Sequence, residues 1–221
     1  MTAGLSGTVA GIVVAAGAGR RFGSSKQWVE LGGERLVDRS VRAASAACED
    51  VVVVLPAGDV WDGPPVTAAV PGGATRSGSV RAGLAAVPPS AGVIVIHDAA
   101  RPLAGRELFD AVIAAVRKGA DAAVPGAPVA DTLKRVDGAR VVETIARDAI
   151  VAVQTPQAFA ADVLRRAHAA GGDATDDAAL VEAIGGTVVV VPGDRRNLKV
   201  TNPDDLVVAA ALLADEHRRA R

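Results

Sequence analysis

The chain has 221 residues, 50% of them apolar and 22% charged, with a formal net charge of −1 at pH 7. A chain of this length can bury a full core, and it lacks the cationic excess that favours nucleic acids or anionic membranes, so we expect neither as a partner. The single cysteine, Cys48, excludes an internal disulfide framework and fits a cytoplasmic protein, and we expect it to be a small buried helix residue. We find no signal-peptide pattern and no apolar run of membrane-spanning length.

Strand-like and helix-like segments alternate along most of the chain. Short, β-branched, nearly all-apolar runs are typical of strands covered on both faces. They lie at residues 9–14, 51–55, 93–96, 120–124 and 187–191. Apolar residues at helical spacing predict helices at 36–44, 80–87 and 106–116, and a last helix from Asn202-Pro203 to about Ala214. This alternation predicts an α/β fold with a doubly wound, mostly parallel sheet that binds ligands at the carboxyl ends of its strands.

Residues 129–153 interrupt this alternation. Asp137-Gly138 is a strong hairpin turn signal, and the flanking arms at 132–136 and 139–145 alternate apolar and polar residues. An isolated hairpin is marginally stable in water. We therefore expect this β-arm to bury its apolar side against a partner subunit, although it could instead fold over its own sheet.

The loop after the first strand combines three glycines with Arg20, Arg21 and Lys26. Glycines let backbone N–H groups approach a ligand closely, and the cations favour a polyphosphate, although a glycine turn at this place is also common for packing alone. The loop has no Gly-Lys-Ser/Thr ending and lacks the third glycine of the dinucleotide fingerprint. A nucleoside triphosphate suits its charge better than a dinucleotide does.

Four further segments carry candidate site residues. His97-Asp98 and Arg101 follow a central strand, but Asp98 and Arg101 could form a structural ion pair, and His97 could be hydrogen-bonded only locally. The glycine-rich loop at 71–79 permits backbone contacts to a planar base, with Ser79 near a helix start. Residues 153–159 are predicted to form a short polar turn before a helix. Lys199, between apolar neighbours, is predicted to point alone into a site rather than to be a solvated charge.

Taken together, these segments resemble the 2-C-methyl-D-erythritol 4-phosphate cytidylyltransferases of the non-mevalonate isoprenoid pathway. The resemblance spans nearly the whole chain, and its specificity lies in the joint order and spacing of the motifs. They are residues 15–21 with 26–27, 97–102, 127–134, 154–157, 175–177 and 197–201. The resemblance implies one Rossmann-like nucleotidyltransferase domain over residues 1–221, with 129–153 as a dimerising β-arm.

The resemblance also implies that the phosphate of methylerythritol phosphate is joined to the α-phosphate of CTP and that pyrophosphate is released. The catalytic residues would be Arg21, Lys26 and Lys199. The nucleotide would be bound by Ala15, Ala16, Gly17, Gly19, Gly73 and Ser79. The methylerythritol phosphate would be bound by Asp98, Arg101, Thr132, Arg147 and Thr155. No His/Cys cluster has zinc spacing, so we expect Mg²⁺ on the CTP phosphates. In the family's homodimer, Thr132 and Arg147 would act in the neighbouring subunit's site.

Three other functions stay open from the sequence. A sister enzyme acting on ribitol or another polyol phosphate shares most of the motifs, but Lys134 favours methylerythritol phosphate. A catalytically idle nucleotide-binding protein would be expected to have lost the cations that are present here. A dehydrogenase is disfavoured because Leu55-Pro56 stands where a ribose-binding acid would end the second strand. The chain departs from the family pattern at two places. The loop before Lys26 is short, and Ala74 and Gly78 stand at positions that are often acidic in the family. The contacts of the base and the ribose are therefore not defined by the resemblance.

Overall fold

The structure is a computed structural model that describes residues 5–17 and 26–219, without the side chains of Lys26 and His217. Twelve strands are present in this part of the chain. They are β1 (Thr8–Val14), β2 (Glu30–Leu31), β3 (Glu34–Arg35), β4 (Asp50–Leu55), β5 (Ala68–Pro71), β6 (Ala91–Asp98), β7 (Ala122–Pro128), β8 (Leu133–Asp137), β9 (Arg140–Ile145), β10 (Val151–Val153), β11 (Gln157–Ala160) and β12 (Val188–Pro192). The five strands predicted from β-branched runs are confirmed, with shifts of one to two residues at most ends.

Six α-helices and one 3-10 helix, Lys26–Trp28, are present in the same described part. The α-helices are α1 (Leu36–Ser45), α2 (Arg76–Ala86), α3 (Arg106–Arg117), α4 (Ala161–Ala169), α5 (Asp177–Ala183) and α6 (Pro203–Arg219). Asn202 caps α6, because its side chain accepts a hydrogen bond from the Asp205 amide at 3.0 Å. The predicted end of α6 near Ala214 is too early, and ion pairs of Arg218 and Arg219 with Asp215 stabilise its last turn.

One large sheet organises the chain, in the order β7-β11-β6-β1-β4-β5, with β12 on the other edge of β7 and β10 extending the line of β11. β1, β4, β5 and β6 pair in parallel, as does β12 with β7. Neighbouring residues of β1 face opposite sides of the sheet: Gly11 faces Ala44 of α1 and Cys48 just beyond that helix, whereas Ile12 faces Gly83 of α2. Helices therefore cover both faces, which confirms the doubly wound α/β fold.

The structure differs from the sequence prediction at several places in this framework. Residues 157–160 form the antiparallel strand β11 between β6 and β7, not part of a polar turn, and all four are buried. The short strand β5 and the helix α5 were not predicted either. Cys48 is buried as expected, but α1 ends at Ser45, so the cysteine lies beyond the helix; burial raises the pKa of its thiol to about 12.

The predicted hairpin is present as β8 and β9, which pair antiparallel on either side of Asp137-Gly138. Gly138 has a φ of 55°, which is the left-handed conformation that this turn requires. Val136, Val141 and Val142 are 54–58% exposed, so the apolar side chains of the arm are not buried on the chain's own sheet. Within residues 5–17 and 26–219, no helix has the length and apolar character needed to span a bilayer.

Candidate active site

Two adjoining pockets open at the carboxyl ends of β1 and β6. The first has a volume of about 440 Å³ and is lined by Val14, Ala15, Ala16, Gly17, Gln27, Leu36, Gly73, Ala74, Thr75, Arg76, Ser79, Asp98, Ala99, Ala100 and Lys199. The second, of about 220 Å³, is lined by Arg76, Asp98, Arg101, Val153, Gln154, Thr155, Gln157, Thr175, Asp176 and Lys199. Arg76, Asp98 and Lys199 line both pockets, so charged groups mark the boundary between them.

Asp98 is held at this boundary between two cations. Its Oδ2 accepts a hydrogen bond from Lys199 Nζ at 2.6 Å, and its Oδ1 lies 3.5 Å from Arg76 Nη2. Burial opposes the charged form of Asp98, but the charges of Lys199 and Arg76 outweigh it and lower the pKa to about 2. The carboxylate is therefore ionised at neutral pH. The sequence predicted that Lys199 points alone into the site. That prediction is wrong, because Lys199 is paired with Asp98.

Small residues shape the first pocket near β1. A Cβ added at Gly72 would lie 2.3 Å from the Cβ of Ala16, and one at Gly73 would lie 2.8 Å from the backbone of Gly78. The close approach of Gly72 to Ala16 and of Gly73 to Gly78 therefore requires glycine at positions 72 and 73. The Ser79 hydroxyl donates to the Thr75 carbonyl at 3.0 Å, within the first turn of α2. Ala15, Ala16, Gly17, Gly73 and Ser79 thus lie together, as predicted for the nucleotide-binding group.

The second pocket contains Arg101 and Thr155. Arg101 Nη1 donates to the carbonyl of Asn197 at 2.7 Å, while its Nε is buried without a hydrogen-bond partner in the described part of the chain. Arg101 makes no ion pair with Asp98 within 4.0 Å, so the alternative of a structural Asp98–Arg101 pair does not hold. The Thr155 hydroxyl accepts a hydrogen bond from the Asp98 backbone amide at 3.0 Å. Both side chains therefore lie next to the charged boundary.

His97 is a structural residue behind the site. Its Nε2 lies 3.1 Å from the Arg101 carbonyl and its Nδ1 lies 3.2 Å from the Thr155 hydroxyl, which confirms the local hydrogen-bonded alternative. The ring is 1% exposed and contacts Phe109. Burial lowers the pKa of His97 to about 4.

This depressed pKa predicts a loss of stability in mild acid. Since the pKa of His97 is lower in the folded chain than the unfolded value of 6.5, the unfolded chain takes up the proton first. The stability present above pH 6.5 should fall as the pH drops towards 4, by at most about 3 kcal/mol. Urea unfolding of the wild type and His97→Gln at pH 7 and 4.5 measures this, and the variant should lose less. Equal losses in the two proteins would contradict the assignment.

Two of the remaining predicted residues, Thr132 and Arg147, are not brought to these pockets. Both lie within the β-arm and are exposed, and Arg147 donates a hydrogen bond to the Ala130 carbonyl. Gly19, Arg21 and the Lys26 side chain lie outside the described residues. Gln27, next to Lys26, is 3% exposed and lines the first pocket, and its amide has no hydrogen-bond partner within residues 5–17 and 26–219.

Arg76 is the main site residue that the sequence analysis missed. It is the first residue of α2, and its Nη1 donates to Asp177 Oδ2 at 2.6 Å while Nη2 faces Asp98. Burial opposes its charge, but Asp177 and Asp98 outweigh that effect and raise its pKa. The signal was an arginine directly after the glycine-rich loop, together with the acidic pair Asp176-Asp177.

Comparisons with known proteins agree with this arrangement. The family model for 2-C-methyl-D-erythritol 4-phosphate cytidylyltransferase matches residues 9–215. The enzyme of that name from Saccharopolyspora erythraea is 47% identical, over 94% of this chain and 100% of the relative, and the one from Rubrobacter xylanophilus is 42% identical, over 97% and 98%. A crystal structure of the enzyme from Thermus thermophilus superposes with a TM-score of 0.80 at 36% identity, covering 92% of this chain and 98% of that one. The chain therefore belongs to the 2-C-methyl-D-erythritol 4-phosphate cytidylyltransferase family.

Proposed function

We propose that the chain transfers the cytidylyl group of CTP to 2-C-methyl-D-erythritol 4-phosphate, giving 4-diphosphocytidyl-2-C-methyl-D-erythritol and pyrophosphate in isoprenoid precursor biosynthesis. The observation that carries the proposal is the pair of pockets that meet at Arg76, Asp98 and Lys199. The first pocket has the small-residue wall expected for a pyrimidine nucleotide. The second has the arginine and hydroxyl groups that suit a polyol phosphate.

The chemistry follows from the charges involved. A phosphate oxygen of the polyol phosphate, already ionised at neutral pH, forms the new bond to the α-phosphorus while the bond to the β-phosphate breaks and pyrophosphate leaves. The barrier comes from bringing two anions together, so positioning and charge neutralisation matter more than a strong base. Lys199 would neutralise charge at the reacting phosphate, together with Arg21 and Lys26 from the preceding loop.

Asp98 would bind hydroxyl groups of the methylerythritol, and Arg101 and Thr155 would lie around its phosphate. Asp98 suits this role because its carboxylate stays ionised and its Oδ1, which lies 3.5 Å from Arg76, can accept a hydrogen bond from a hydroxyl. Arg101 suits a phosphate because its guanidinium is half-buried and its Nε has no hydrogen-bond partner among the described residues. The two ends of the polyol phosphate would thus be recognised by opposite charges.

We place Mg²⁺ on the phosphates of CTP rather than on protein ligands. Among the residues that the structure describes, no group of three His, Cys, Asp or Glu side chains could hold a metal ion. Asp98, which lines both pockets, is already paired with two cations and does not fit as a free ligand. When bound to the triphosphate, Mg²⁺ supplies further charge neutralisation. We also place the protein in the cytoplasm, in keeping with its single cysteine.

The assay that tests the proposal measures pyrophosphate release from CTP with a panel of polyol phosphates. Methylerythritol phosphate should support turnover, while ribitol 5-phosphate should not. Turnover with ribitol 5-phosphate alone would overturn the choice of substrate and favour the sister enzyme. Calorimetric titration should detect CTP and not NAD; the reverse result would favour a dehydrogenase.

We further propose a homodimer in which the β-arm of one subunit completes the site of the other. The exposed valines of β8 and β9 supply an apolar surface, and Thr132 and Arg147 lie away from both pockets of their own chain.

This arrangement predicts complementation between two inactive proteins. Arg147→Ala and Asp98→Asn, mixed under conditions of subunit exchange, should regain about a quarter of the wild-type activity, because half of the dimers would then carry one intact site. No regain, or a monomer in sedimentation, would contradict the proposal.

A further inference from the structure

Five charged or titratable side chains form a continuous line of contacts from the last turn of α4 to the boundary between the two pockets. His168 Nε2 lies 3.0 Å from Asp177 Oδ1, and Asp177 Oδ2 accepts from Arg76 Nη1 at 2.6 Å. Arg76 Nη2 then lies 3.5 Å from Asp98 Oδ1, and Asp98 Oδ2 accepts from Lys199 at 2.6 Å. Two of these residues, His168 and Asp177, line neither pocket.

The inner end of this line is buried. The Asp177 side chain is 0% exposed and that of His168 is 3% exposed. An ionised carboxylate is costly to bury unless its oxygens are paired, and here each oxygen of Asp177 has one partner. Because a carboxylate only accepts hydrogen bonds, Nε2 is the nitrogen of His168 that carries the hydrogen. The two contacts fix the rotation of the carboxylate and with it the direction of Arg76.

The guanidinium of Arg76 contacts two carboxylates, Asp177 and Asp98, at different distances. Its short contact is with Asp177, whereas its contact with Asp98 is 0.9 Å longer. Asp177 thus draws the guanidinium away from Asp98, which leaves Asp98 Oδ1 less tightly paired than Oδ2. Asp98 lines both pockets, and an oxygen of this carboxylate that is not closely paired is available to accept a hydrogen bond from a ligand hydroxyl.

We infer that Asp177, oriented by His168, is a positioning residue that holds Arg76 at the distance from Asp98 at which the carboxylate can still bind the polyol. The inference rests on the proposed function, since it assigns a role within the same site. Without Asp177, the guanidinium of Arg76 would move onto Asp98 and compete with the substrate hydroxyls. The effect should appear in the binding of the polyol phosphate more than in the binding of CTP.

The first test replaces the charge while keeping the shape. Asp177→Asn should raise the KM for methylerythritol phosphate about tenfold, because a hydrogen bond to a charged group is lost from the substrate, and should change the KM for CTP and kcat less than about threefold. The matched control is Asp162→Asn, which makes the same change in the exposed Asp162–Arg166 pair of α4 and should leave all three constants unchanged. An unchanged KM for methylerythritol phosphate in Asp177→Asn would overturn the inference.

The second test uses His168 and decides the question even if Asp177→Asn does not fold. His168→Gln retains an N–H donor towards Asp177 and should keep the KM for methylerythritol phosphate within about twofold of wild type, whereas His168→Phe removes the donor and should raise it at least fivefold. A purely structural role would lower the melting temperature of His168→Phe with no change in KM, and that result would overturn the inference. Failure of the proposed function is distinguishable, because the wild type itself would then not turn over methylerythritol phosphate.

Discussion

Replacing Lys199 by alanine should lower kcat about 10²- to 10³-fold, which is the size of effect seen when one preorganised charge is removed from a developing anion. Lys199 is 42% exposed and stands on the boundary between the two pockets, where the α-phosphate of CTP and the attacking phosphate would meet. The loss should appear in kcat at saturating substrates, because the lysine acts where charge accumulates in the transition state. Steady-state pyrophosphate release measures the effect.

The control for this prediction is Lys118→Ala. Lys118 is an exposed lysine at the end of α3 and lines neither of the two pockets, so its removal should leave kcat unchanged. Lys199→Ala should also lower the melting temperature, because the buried Asp98 carboxylate is then left with Arg76 alone at 3.5 Å, so kcat is compared at a temperature at which both proteins are folded. A kcat within threefold of wild type, with only the KM for CTP raised, would limit Lys199 to binding.

Asp98→Asn should lower kcat/KM for methylerythritol phosphate about 100-fold while changing the KM for CTP much less. The substitution keeps the shape of the side chain but removes the negative charge that two cations face. The amide can also turn an N–H donor towards Lys199 or Arg76, which have donors and no acceptors. Steady-state kinetics with each substrate varied in turn separate the two effects.

Asp110→Asn is the matched control, because Asp110 forms an exposed pair with Arg106 on α3 at 2.8 Å. It should be kinetically silent. If Asp98→Asn raised the KM for CTP as much as that for methylerythritol phosphate, the assignment of Asp98 to the polyol would be wrong. It would then belong to the nucleotide half of the site.

Much of the sheet could be predicted because its central strands are nearly all-apolar runs of β-branched residues. β11 could not, because Gln157–Ala160 is only four residues long and contains two alanines, which carry little strand preference. Its burial depends on β6 and β7, which are distant in sequence. The hairpin was predictable for the opposite reason, since the residues of its turn determine its geometry locally.

The candidate site was predictable as a set of positions, but its electrostatics were not. The resemblance placed Asp98 and Lys199 in different roles, whereas the structure shows them as one ion pair at 2.6 Å. Arg76 was missed because its partner Asp177 lies 101 residues away along the chain, a distance at which no local pattern reports a contact. The role of Arg76 thus follows from its pairing with Asp177, and only the folded structure brings these two residues together.

The phosphorus NMR spectrum of the reaction mixture distinguishes cytidylyl transfer from other reactions of CTP, because it shows which phosphate bond is broken and which is formed. With the purified chain, CTP and methylerythritol phosphate, we predict that the triphosphate signals will be replaced by pyrophosphate and by one new pair of coupled diphosphate signals, and only when both substrates are present. Release of CMP and pyrophosphate without methylerythritol phosphate, or a new diphosphate formed with ribitol 5-phosphate alone, would contradict the account.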